Sequence, residues 1–229
     1  MTEARYLAKW ELDDVRGVVV VVDVLRAFTT AAYAFASGAA AIWLVGTVQE
    51  ALDLAREIPG ALTMGEDHGR RPDGFDFSNS PVAVANADLK GRVLVQRTSA
   101  GTQGAIAAKN AERLFAASLV CASATAEAVR DTGLGVPTYV ITGRFPDSPD
   151  GGEDDFVTAR LIERARLGDG LEIAATRDAV ANSTWAQKIG KMDANDVHQD
   201  DVEYSVDVDR FDFAMEVERI DSRLRLVTR

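Results

Sequence analysis

Cysteine is almost missing from this chain of 229 residues. Cys121 stands alone, which excludes an internal disulfide and fits a reducing compartment, so a cytoplasmic location is expected. Two histidines, His68 and His198, are too few for a histidine-rich metal centre. The longest nearly apolar run, 31–45, is interrupted by Ser37 and Gly38 and is too short to span a bilayer. The opening MTEARYLAKWELDD mixes charged with apolar residues, unlike a secretory signal. No membrane association is expected. Basic residues are also in short supply, 25 against 36 acidic ones, so the basic footprint that nucleic acid requires is absent. Eleven carboxylates between residues 193 and 221 face only Arg210 and Arg219 there, and that stretch reads as a solvated acidic face. The phosphate-cradling G-x-x-x-x-G-K-[ST], the dinucleotide G-x-G-x-x-G and the nucleophile turn G-x-S-x-G do not occur.

What is present is organised around VVVVVDVLRAFTT, residues 18–30. Five consecutive valines suit a strand covered on both faces, as in a parallel sheet between helices. The strand ends at Asp23 and Arg26, and an alanine-rich helix is expected from Thr29 to Ser37, closed by Gly38. Tyr6 to Leu12 is read as an edge strand and 42–45 as the next inner strand. Thr47 caps a helix over 48–58, and a short strand from Leu62 runs into Gly65-Glu66. A polar loop, 67–79, follows. Strand, helix, strand and helix then recur over 92–96, 103–109, 114–116 and 123–129. The expectation is one α/β domain, 1–229, a three-layer α/β/α sandwich with a partly duplicated β-α-β-α unit (18–58 and 92–129). A strand over 138–142, a loop over 145–152 and a helix over 155–166 come next. Residues 202–208 alternate like a strand yet also suit one helical face, and 211–217 reads as a closing strand.

Several strands end in the same kind of residue: Asp23 with Arg26, Glu66 with Asp67, Arg97 with Thr98 and Ser99, and Arg144. In a mainly parallel sheet these ends meet on one rim, where open α/β sheets bind ligands. Arginine forks match phosphate and carboxylate oxygens, hydroxyls at helix starts add donors, and nearby carboxylates invite Mg²⁺. The plainer alternatives are that Asp23 and Thr29 cap a helix, that the arginines are surface ion pairs, and that the acids of 153–155 serve a helix dipole. His68 stays open between a loop residue and an acid or ligand. Cys121 is expected to be a small buried apolar residue.

Five stretches carry a resemblance to a known family: DVLRAFTT with Gly38-Ala39, Gly65-Glu66, GFDFSNSP at 74–81, RTSAGT at 97–102, and Glu153-Asp154. They resemble the 2-phosphosulfolactate phosphatases, or ComB-like family, through most of the chain, from about residue 18 to 163, with a fainter echo over 201–217. The resemblance implies a Mg²⁺-dependent acid phosphatase acting on a phosphate ester of a 2-hydroxy acid. Carried over by motif, it points to Asp23, Arg26, Thr30, Glu66, Asn79, Ser80, Arg97, Thr102, Glu153 and Asp154, with Ser99 beside them. Within that reading Asp23, Glu66 and Asp154 are the metal ligands or water-orienting groups, and attack on phosphorus by Asp23 stays open as an alternative. Arg26 and Arg97 are the anion clamps, and Thr30, Asn79, Ser80, Ser99 and Thr102 line the substrate. Asp67 stands where the family usually has an arginine, which removes one anion contact. The competing reading is a non-catalytic binding protein for an anionic metabolite. The partner expected is a small anionic substrate, with homo-oligomerisation open.

Overall fold

The computed structural model describes residues 3–148 and 151–229. In chain order it contains β1 (Arg5–Leu7), β2 (Val18–Val22), α1 (Ala27–Ala36), β3 (Ala41–Leu44), α2 (Val48–Glu57) and β4 (Leu62–Gly65). Then come α3 (Pro81–Ala85), β5 (Val93–Arg97), α4 (Gly101–Ala107), β6 (Arg113–Ala117), α5 (Ala122–Asp131) and β7 (Thr138–Ile141). The last elements are α6 (Glu153–Leu167), α7 (Ile173–Ala181), α8 (Thr184–Ile189), α9 (Asp201–Ser205), β8 (Met215–Ile220) and β9 (Arg223–Thr228). The order strand–helix–strand–helix holds in both 18–58 and 92–129.

All five valines of β2 are buried. Val19 and Val21 face one core and Val18, Val20 and Val22 the other, so the unbroken apolar run has its expected cause. The nine strands form one sheet in the order β1-β7-β2-β6-β8-β9-β3-β5-β4. Pairing within β1, β7, β2 and β6 is parallel, as it is within β3, β5 and β4. Parallel pairings thus predominate, as expected, but they are not continuous across the sheet. The hairpin of β8 and β9 lies between the two groups and pairs antiparallel with β6 on one side and β3 on the other. Three reversals follow one another, so the two parallel groups run in opposite senses. Apart from β1, the strand order is symmetric about the hairpin: β6 matches β3, β2 matches β5, and β7 matches β4.

A flat sheet of this kind would put the ends of β2 and β5 on opposite rims. The curl of the sheet brings them together instead. The Gln96 side-chain amide of β5 donates to the Ala27 carbonyl at the start of α1, 2.8 Å away. Residues of α1 and α4 share one core with both parallel groups and the hairpin. Outside, α2 covers one group, and α5, α6, α7 and α8 cover the other.

Other expectations shift in detail. The first strand stops at Leu7 and gives way to a 3-10 turn, Lys9–Glu11. Residues 201–205 are helical, while Phe211 and Phe213 precede β8 and stack on one another, 5.3 Å between centroids. Phe211 also meets the Tyr33 ring edge-on. Cys121 is buried, and that burial pushes its thiol up to about 11. No helix among the described residues is long and apolar enough to cross a membrane.

Candidate active site

Asp23 follows β2 directly and is buried. Its Oδ1 accepts the Ala27 amide at 2.9 Å, so it does cap α1. Its Oδ2 lies 3.2 Å from the Thr142 hydroxyl. Two more carboxylates enter from the first turn of α6, Asp154 and Asp155, both buried. Asp155 accepts the amides of Val24 (2.9 Å) and Gly143 (2.8 Å) and lies 3.1 Å from the same Thr142 hydroxyl. One hydroxyl proton cannot serve two ionised carboxylates, so both contacts are satisfied only when one carboxyl is protonated.

Burial raises all three acids. Asp23 rises to about 6, with the Ala27 amide acting against burial and the Glu66 charge adding to it. Asp154 rises to about 7 through burial and the Asp23 charge. Asp155 rises well above the usual range through burial, then through the charges of Asp154 and Asp23. None of the three forms an ion pair with a described lysine or arginine. Unpaired buried carboxylates are costly, and groups perturbed in this way mark candidate sites.

Gly101, the first residue of α4, is placed by contact with Asp23. A Cβ there would lie 2.7 Å from Asp23 Oδ2 and 2.8 Å from the Ala27 methyl. Gly101→Ala is therefore expected to cost about 1–3 kcal/mol by overpacking and to displace the Asp23 carboxylate. The drop in Tm and in kcat, measured together, checks this. Gly65 has a similar role with φ +132, where any Cβ would overlap the Arg97 carbonyl.

The remaining expected residues fall into two groups. In the first, Glu66 Oε1 accepts the Ser99 amide at 2.5 Å, and Oε2 accepts the Gly69 amide at 2.6 Å and the Ser99 hydroxyl at 3.0 Å. Arg97 Nη1 donates to Asp67 (2.7 Å) and to the Glu66 carbonyl (2.7 Å), and its Nε to the Gly46 carbonyl. Glu66 and Arg97 thus tie the 66–70 turn to the loop after β5. Ser99 is held within that knot, and His68 is exposed. Thr102 folds back on Thr98 in reciprocal bonds that start α4.

In the second group Arg26 is buried against Asp201, Nη1 to Oδ2 at 2.6 Å, and against the Asp196 carbonyl. Asp201 Oδ1 takes the Ser80 hydroxyl at 2.5 Å, and Oδ2 takes the His198 amide. Ser80 also caps α3. Asp196 reaches the 67–79 loop by accepting the Arg71 amide at 2.7 Å. Asn79 and Thr30 are buried, and Asn79 Oδ1 and Thr30 Oγ1 find no partner among the described residues. Glu153 accepts the Thr184 amide, tying α6 to α8.

Two residues correct the sequence reading. Asp201 belongs to the acidic stretch read as solvated, yet it is fully buried and organises Arg26 and Ser80. Its partner Arg26 is far away in sequence, and nothing local to residue 201 signals the pairing. Lys9, assigned to an edge strand, sits instead in the turn after β1 with Asp23 and Glu66 acting on its charge.

A curled α/β sheet with a cluster of buried carboxylates that no described lysine or arginine pairs suits the handling of phosphate esters, and its family and relatives make the protein a phosphoric monoester hydrolase. More narrowly, the chain belongs to the 2-phosphosulpholactate phosphatase family, whose model matches residues 6–219. A Bacillus subtilis relative named probable 2-phosphosulfolactate phosphatase is 32% identical over 87% of this chain and 86% of its own length. Relatives of the same name from Thermoplasma acidophilum and Deinococcus radiodurans are 28% and 36% identical. They cover 90% and 69% of this chain, and 87% and 68% of their own lengths.

Proposed function

We propose that the protein is a Mg²⁺-dependent phosphatase that hydrolyses the phosphate monoester of a 2-hydroxy acid. The observation that carries this is the buried trio Asp23, Asp154 and Asp155, each raised first by burial, with the Asp23 charge adding at Asp154 and Asp155, and none ion-paired to a described arginine or lysine. Among the described residues no three His, Cys, Asp or Glu side chains converge closely enough to hold a metal by themselves. Mg²⁺ does not need that, since it takes one or two carboxylates and completes its shell with water and substrate oxygens. Asp23 and Asp154 fit this donor set. Asp155, bonded to two amides, orients the cluster. Glu66, with both oxygens on amides, shapes the adjoining loops.

The chemistry makes a heavy demand. Uncatalysed monoester hydrolysis requires acceleration of up to ~10²¹-fold, and a positioned base contributes only about 10²–10⁴. The rest comes from in-line positioning and neutralisation of charge on the phosphoryl oxygens. Bound Mg²⁺ would supply Lewis-acid charge to those oxygens. Arg26 and Arg97 add fixed positive charge, each oriented by an acid, Asp201 or Asp67. Thr30 and Asn79 offer buried polar atoms with bonding capacity to spare.

The test is phosphate release from a panel of 2-phospho-hydroxy acids, 2-phosphosulfolactate and 2-phospholactate among them, with Mg²⁺ and with chelator. Release that needs Mg²⁺ is the expected result. Release undiminished by chelator overturns the metal assignment, and no release from any member overturns the substrate class.

A further inference from the structure

One cation near the carboxylates has no role in the scheme above. Lys9 opens the 3-10 turn that follows β1. That turn packs against α4, whose first residue touches Asp23. The Lys9 ammonium lies 3.9 Å from the centre of the Phe145 ring, a cation–π contact made beyond the end of β7. The side chain is half-buried. Burial lowers its pKa, while the charges of Asp23 and Glu66 act to raise it, so both carboxylates lie within its field.

Its pairing sets it apart from the two arginines. Arg26 is committed to Asp201 and Arg97 to Asp67. Lys109 with Asp13 is the ion pair that a lysine makes with a carboxylate among the described residues. Lys9 is thus held by an aromatic face, partly desolvated, and among the described residues no carboxylate takes its three N–H donors. An ammonium in that state is a point-charge anion binder, and removal from water strengthens its pull on a phosphoryl oxygen.

We propose that Lys9 is a substrate-binding residue whose ammonium engages the phosphoryl oxygens of the ester, neutralising charge as the ester bond breaks. The proposal rests on the phosphatase reading and adds to it a contact from an element outside the family-like motifs. Phe145 is the positioning residue: its ring keeps the ammonium on the carboxylate side of the turn.

Lys9→Met is the informative variant, since it keeps the apolar stem on Phe145 and removes the charge. Its Tm should stay within about 2 °C of the wild type. The expected result is a loss of about 10²-fold in kcat/KM for 2-phospholactate and a rise of about tenfold in the competitive inhibition constant of inorganic phosphate. Lys9→Arg should recover part of both. A simple alkyl phosphate without a carboxylate should lose as much as 2-phospholactate does. Values of kcat/KM and phosphate inhibition within about twofold of wild type overturn the proposal. So does a loss confined to the carboxylate-bearing ester. If the wild type releases no phosphate from any ester, the phosphatase reading fails separately. Calorimetric titration of inorganic phosphate into both proteins then decides on Lys9, and equal affinity, or none in either, overturns it.

Discussion

Asp23→Asn should yield a folded protein that no longer releases phosphate, with kcat lower by about 10³-fold or more. Asparagine keeps the volume, and its amide oxygen can still accept the Ala27 N–H that starts α1. What disappears is one negative charge among three buried carboxylates. At neutral pH that charge is a burden on the metal-free protein, because Asp23 and Asp154 protonate only near 6 and 7. The variant's Tm in chelator at pH 7.5 should therefore equal or exceed that of the wild type. In Mg²⁺ the order should reverse, since the wild type gains from the ion and the variant much less. Phosphate release at saturating substrate and melting curves with and without Mg²⁺ measure both. A fully active variant overturns the role given to Asp23. A loss of activity that merely tracks a fall in Tm makes Asp23 a helix cap and nothing more.

Asp201→Ala should be the most destabilising single change at the site. The carboxylate is fully buried and takes the Arg26 guanidinium, the Ser80 hydroxyl and the His198 amide. Removing it leaves a guanidinium in the interior with only the Asp196 carbonyl, and breaking a buried pair in this way costs about 3–5 kcal/mol. For a chain of this length that corresponds to a fall in Tm of roughly 10 °C. Activity should fall as well, because α9, the start of α3 and the start of α1 meet at this residue. Denaturant unfolding of the wild type and the variant gives the difference. An Asp201→Ala protein as stable as wild type would return this segment to the solvated acidic face that its composition suggests.

The sequence was legible where one residue type answers one local demand. Five valines gave β2, and Thr47 gave the cap of α2. The hairpin strand β9 was overlooked although it carries a period-two pattern, with Leu224 and Leu226 buried between arginines. Charge at the alternate positions masked it. The site was legible as a set of motifs and illegible as a network. Arg26 and Arg97 look like free anion clamps along the chain, and their acid partners are visible only in the fold, where β4 beside β5 brings Asp67 to Arg97 and α9 brings Asp201 to Arg26. Lys9 reads as part of an edge strand, because its true position depends on the turn after β1 meeting α4 and on the Phe145 ring beyond β7.

The β8–β9 hairpin has a further consequence for how the chain is made. It leaves the ribosome after every other strand described here, yet within the sheet it is the hairpin that joins the two parallel groups. Until it arrives, β6 and β3 are both open edges, able to pair with another nascent chain. Closing the sheet then brings residues 42 and 226 side by side. So large a separation in sequence slows assembly and prolongs that exposure. The carboxylate cluster sits on one side of this seam and the Arg97 loop on the other. The hairpin thus makes one continuous sheet of the halves bearing them.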